Sequence, residues 1–205
     1  ISSIFPGFSC VGFRCFFTIL TPLTLTLSIL FKTSIISPDL PLSLPDITIT
    51  LSPFFIFQDK RGRPKSDNWG HVSSIDLMHW RHHPTTLIEG MYSGNCFINE
   101  HGIPTMCYHQ VNSGNSLAVA LDDNLDGWEK LSTNPITPNT VEGDQYHNKY
   151  RSWDPFGWFD GEHYYSIFGG EHPAVTKSKH LEGPWEYTGD LFAHGLEGVS
   201  INEDV

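Results

Sequence analysis

Trp69-Gly70-His71-Val72-Ser73-Ser74-Ile75-Asp76-Leu77-Met78-His79-Trp80 closes an apolar run with a Leu and sets a Trp three residues after it. The same ending returns in Asp123-Asn124-Leu125-Asp126-Gly127-Trp128 and, with the Trp four residues after the Leu, in Lys179-His180-Leu181-Glu182-Gly183-Pro184-Trp185, which places the three Trp residues 48 and 57 positions apart. Self-similarity at such a period marks repeated supersecondary units, and a unit of this length holds one four-stranded propeller blade. The chain therefore reads as all-β, part of a β-propeller with about three blades present.

Between the repeats lie paired runs of aromatic and β-branched residues. Cys96–Ile98 leads through Glu100-His101-Gly102 to Thr105–His109, and Gly157–Phe159 leads through Asp160-Gly161 to Tyr164–Phe168. Phe54–Gln58 and Trp69–Ser74 form a similar pair. A Gly-containing turn between two such runs is a hairpin signal, and no segment keeps a helical period. One blade cannot bury both faces alone, so Leu and Trp of each outer turn are expected to pack on the neighbouring blade. That assigns Trp80, Trp128 and Trp185 to the core rather than to sugar platforms.

Composition divides the chain. Of 12 basic and 23 acidic residues, only Arg14, Lys32, Asp39 and Asp46 precede Phe57, and every His, Trp and Tyr follows it. Residues 1–53 read as a non-domain or signal- or anchor-like apolar segment, with Cys15–Phe31 uncharged, and residues 54–205 as a partial propeller domain. Secretion follows if the apolar segment is a genuine signal. A net charge of -11 repels nucleic-acid phosphates and anionic lipid, and it is compatible with a neutral sugar. Cys10, Cys15, Cys96 and Cys107 have no metal-finger spacing; Cys96 and Cys107 flank a hairpin turn and read as two buried thiols or a disulfide.

The run Trp69–Trp80 resembles the Trp-Gly-His…Ser-x-Asp-Leu-x-His-Trp segment of family 32 glycoside hydrolases, the invertases, inulinases and levanases. Tyr92-Ser93-Gly94 is similar to that family's Phe-Ser-Gly, and Trp153-Asp154-Pro155 to its Arg-Asp-Pro, with Trp153 in the Arg position and Arg151 the nearest arginine. The resemblance implies a β-fructosidase that acts on terminal fructosyl bonds of sucrose or fructan and needs no cofactor. It implies Asp154 as transition-state stabiliser, Glu203 as candidate acid/base, and Gln58, Tyr92, Ser93, Trp153 and Arg151 as substrate contacts.

Retaining glycoside cleavage needs a nucleophilic carboxylate and a proton-donating carboxyl about 5–5.5 Å apart. The family's Asn-Asp-Pro-Asn-Gly nucleophile motif is not found in this sequence, and Asp39 and Asp46 sit in Pro-rich loop sequence. This chain by itself is therefore expected to be inactive. Two further readings stay open: an inverting family 43 arabinosidase or xylosidase, and a non-catalytic sugar-binding propeller. His79, His82 and His83 lack the second-element ligands a zinc site needs, so no metal is expected.

Overall fold

The computed structural model describes residues 14–20, 26–35, 47–58, 67–88, 90–140, 149–150, 152–169 and 173–191, with side chains described from residue 51 onward, Gln58 excepted. All regular structure among them is β, in antiparallel sheets. Sheet one runs β1 (Arg14–Leu20), β2 (Thr26–Ile35), β3 (Ile47–Gln58), β4 (Asp67–Ser73) and β5 (Arg81–His82), each paired with the next. Sheet two is the meander β6 (Met91–Ile98), β7 (Pro104–Gln110) and β8 (Gly114–Ala120). The two halves of β8 pair with β9 (Trp128–Lys130) and β10 (Thr137–Pro138). Sheet three is the four-stranded meander β11 (Trp153–Phe159), β12 (Tyr164–Gly169), β13 (Ala174–Ser178) and β14 (Glu186–Asp190).

The three hairpins expected from sequence are β3–β4, β6–β7 and β11–β12. Sheet two is buried on both faces, and side-chain alternation assigns each face its partner. Cys96, Met106, Tyr108 and Ala118 join Phe54, Trp69 and Leu87 in the core shared with sheet one. Phe97, Cys107 and Leu117 join Tyr164 and Leu181 in the core shared with sheet three. Register decides the cysteine question. Cys96 stands opposite Met106 and Cys107 opposite Asn95, so the two thiols point to different faces and are not joined in a disulfide. Burial pushes the Cys107 thiol up to about 12, which keeps it protonated and unreactive.

The Leu–Trp turns repeat in geometry as well as sequence. In each, the indole N–H donates to the carbonyl of the preceding Leu: Trp80 to Leu77 (3.2 Å), Trp128 to Leu125 (3.0 Å) and Trp185 to Leu181 (3.1 Å). Leu77 and Leu125 share a left-handed backbone with φ of 63°. The carboxylates of Asp76 and Asp122 hold the first two turns by accepting successive backbone N–H bonds. Leu125 is buried on sheet one, where Trp128 meets Phe54 edge-on, and Leu181 is buried on sheet two. The first turn departs from the core assignment: Leu77 is 63% and Trp80 46% exposed. Each later turn lands on the sheet before its own, and no described sheet precedes sheet one.

Sheets two and three are joined by Asn95. Its side-chain amide donates to the Gly157 carbonyl (2.8 Å), and its amide oxygen accepts the Gly157 N–H (2.7 Å), all of it buried. Gly157 has to be glycine here, because a Cβ would stand 2.9 Å from Cys107 Cβ and 3.0 Å from the Phe97 ring. Asn95→Leu leaves two buried backbone groups of Gly157 unpaired, a loss of about 2–4 kcal/mol in urea unfolding. A change below about 0.5 kcal/mol would show that the clamp contributes little.

Candidate functional site

Two strands that begin the second and third sheets, β6 and β11, break their ladders at corresponding places. In β6 the register jumps between Met91 and Gly94, so Tyr92 and Ser93 together face the single residue His109 of β7. In β11 it jumps between Trp153 and Phe156, leaving Asp154 and Pro155 opposite one position of β12. Such bulges bend a strand and re-aim its side chains. Asp154 takes a left-handed backbone, φ 44°, immediately before a proline, a conformation that both its Cβ and the Pro155 ring disfavour. Strain of this kind persists where surrounding structure fixes it, and it concentrates at ligand sites.

The bulges open on one cleft of about 220 Å³ lined by Tyr92, His109, Trp153 and Asp154. Tyr92 and Trp153 are the exposed aromatic walls, 46% and 43% accessible. Asp154 is half-buried between them in the lining. His109 is buried, with its ring 6.2 Å from Tyr92 and its Nδ1 3.4 Å from the Asn115 amide oxygen. The buried Asp67 carboxylate of β4 raises the Tyr92 phenol above its usual range, first by its charge, then with burial and a hydrogen bond. An apolar two-sided slot with a carboxylate and an imidazole suits a polyhydroxylated ring, whose C–H faces stack on aromatics while its hydroxyls seek polar partners.

Of the site residues read from sequence, the structure gathers Tyr92, Trp153 and Asp154. Ser93 shares the Tyr92 bulge but lies outside the cleft lining. The backbone of Gln58 ends β3 opposite Asp67. The Gln58 side chain, Arg151 and Glu203 fall outside the described residues. His109 and Asp67 were not legible as site residues. His109 sits on a second strand, β7, in a run that reads as core, and the β6 bulge that lies opposite it has no local signal in the sequence. β1, β2 and β3 contain no Asp or Glu, so the described strands of sheet one before β4 present no carboxylate.

A second polar cluster joins sheets one and two. His83 donates from Nδ1 to Asp126 and accepts the Ser73 hydroxyl at Nε2 (2.7 Å), while Arg81 reaches the other Asp126 oxygen at 3.1 Å. His71 is stacked between Phe54 and His83, at 4.5 and 3.9 Å between centroids, and neither of its ring nitrogens has a hydrogen-bond partner. Donor atoms of His71, His83 and Asp126 lie within 4.8 Å of one another. Chelation needs lone pairs that converge on one point, whereas stacked imidazoles only 22° from parallel direct theirs side by side, and both His83 nitrogens are engaged. The trio acts as an interlock between sheets.

These features place a cleft with two aromatic side chains, an imidazole and a carboxylate on a β-propeller scaffold. Residues 53–201 match the N-terminal domain of glycosyl hydrolases family 32, and the chain belongs to that family. It is 29% identical over 156 residues to a sucrose-6-phosphate hydrolase of Klebsiella pneumoniae, a match covering 64% of this chain and 30% of that protein. The chain thus spans about a third of the length of the curated relatives it matches. Its fold is shared with the family 32 β-fructofuranosidase of Bombyx mori (TM-score 0.50, 22% identity, 70% of this chain and 32% of that one). A family 43 protein of Bacillus licheniformis shares it too (TM-score 0.51, 15% identity, 73% and 30%).

Burial, reinforced by the neighbouring His83, lowers the His71 pKa from 6.5 to about 3; Asp126 opposes the shift, as does the Leu125 carbonyl, which faces the ring without reaching hydrogen-bond geometry. The unfolded chain therefore binds a proton that the folded one refuses. This contribution is fully present above pH 6.5 and is lost as pH falls toward 3, at up to about 1.4 kcal/mol per pH unit. Between pH 7 and pH 5, the wild type should lose about 2 kcal/mol more stability than His71→Phe in urea titrations. Equal losses would contradict the assignment.

Proposed function

We propose that this chain is the sugar-binding propeller of a β-fructosidase, a hydrolase that releases terminal fructosyl units from sucrose or fructan by double displacement with retention. The observation that carries the reading is the pair of bulges that brings Asp154 onto one cleft with Tyr92 and Trp153. In this reading residues 54–205 form the domain, as part of a five-bladed ring. Asp154 accepts hydrogen bonds from hydroxyls of the fructosyl ring, bonds that strengthen as the ring gains oxocarbenium character. Tyr92 and Trp153 hold the ring faces. Gln58, Ser93 and Arg151 add contacts, and Glu203 protonates the leaving oxygen. The fructoside substrates named for the sucrose-6-phosphate hydrolase relatives support the substrate class.

The lack of any carboxylate in β1–β3 favours a second reading, a propeller that binds fructosyl groups without cleaving them. One assay separates the two. In the full-length protein, Asp154→Asn should cut fructose release from sucrose by about 10²–10³-fold, the scale of a lost electrostatic contact to the transition state. A rate within about tenfold of wild type would contradict the role of Asp154. Saturable heat on titration with fructan, without fructose release by the wild type, would select the binding reading.

A further inference from the structure

We propose that His109 is a sugar-contacting residue of the cleft, its Nε2 bonding a ring hydroxyl while Nδ1 is held from behind. The inference rests on the fructoside reading above and adds a contact that lies outside the motifs by which the chain was read. Three observations converge on it.

The first is register. His109 keeps its regular place on β7, opposite Asn115 of β8 and on the same face as Cys107, the face turned to sheet three. The bulge of β6 sets both Tyr92 and Ser93 against it, and His109 lines the cleft with Tyr92, Trp153 and Asp154. Beside the bulge β6 and β7 approach so closely that only glycine fits at Gly94, where a Cβ would stand 2.0 Å from the Cys107 carbonyl oxygen and 2.8 Å from Tyr108 Cα.

The second is hydrogen bonding. His109 Nδ1 faces the amide oxygen of Asn115, a fully buried residue, and the pairing assigns the proton to Nδ1. Nε2 is then the ring's one remaining hydrogen-bonding atom, with its lone pair available to a hydroxyl donor. The third is burial. A 9% exposed imidazole at the floor of a slot with two aromatic walls bonds a ligand with little competition from water. Tyr92 and Trp153 bind a ring by its faces and discriminate hydroxyl positions poorly. His109 and Asp154 supply two polar points from different sheets, and two fixed points select among hydroxyl arrangements.

Gln and Asn separate the two edges of the imidazole, since the Gln amide reaches the position of Nε2 and the Asn amide that of Nδ1. Calorimetric titration with fructose is made on the wild-type chain and on His109→Gln, His109→Asn and His109→Phe, each first matched to wild type by circular dichroism. His109→Gln is expected to bind within about twofold of wild type, and His109→Asn and His109→Phe about three- to tenfold more weakly, the scale of one neutral hydrogen bond. Wild-type affinity in His109→Asn with a loss in His109→Gln would overturn the inference by making the Asn115 side of the ring the important one. Equal affinities in all four proteins would overturn it as well. No saturable binding by the wild type would overturn the fructoside reading, and this inference with it.

Discussion

Asn95 spans the gap between two sheets with both ends of its amide, donating to and accepting from the same residue, Gly157, in the buried centre of the structure. A single bond across that gap would fix a distance; a two-point clamp also fixes rotation and register. The clamp lies three residues from Tyr92 on β6 and three from Asp154 on β11, each counted toward its bulge. The relative position of the cleft's two halves is thus set by a contact that touches no ligand. The demand propagates outward. Gly157 carries no side chain because Cys107 and Phe97 already fill the space a Cβ would need. A buried amide with any of these bonds broken costs more than an apolar residue would, so the clamp specifies one arrangement rather than merely adding stability.

The repeat was legible because its chemistry is local. An Asp that caps its own turn, a Leu and a Trp that bond each other, and a Gly-marked hairpin all act within a few residues, and all left their pattern in the sequence. The resemblance carried by Trp69–Trp80 pointed to the right family for the same reason. What stayed hidden depends on register and on neighbours. Cys96 and Cys107 flank a turn, and a one-residue offset sends them to opposite faces. Trp80 repeats Trp128 and Trp185 in sequence and in its hydrogen bond, yet stays exposed because burial depends on which sheet lies beyond it. His109 looks like a core position until the bulge opposite is known. The expectation for Asp154 rests on a motif whose arginine is replaced by Trp153, and its left-handed backbone before proline has no mark in the sequence beyond Pro155.

The two polar interlocks use different physics. Between sheets two and three the contact is neutral, an amide on a peptide group, and insensitive to pH. Between sheets one and two it is built from His83, Asp126 and Arg81, with His71 packed alongside as a neutral ring lacking hydrogen-bond partners. Acid therefore loosens the interface between sheets one and two and leaves the Asn95 contact between sheets two and three intact. The cleft, whose walls come from sheets two and three, lies on the side that acid spares.

The central claim is that two bulged strands from neighbouring sheets build a single sugar site. A crystal structure of the chain soaked with fructose tests it most directly. The account predicts a sugar ring between Tyr92 and Trp153, with hydroxyl oxygens within hydrogen-bonding distance of the Asp154 carboxylate. A sugar bound elsewhere on the surface, or in this cleft with no contact to Asp154, would contradict it.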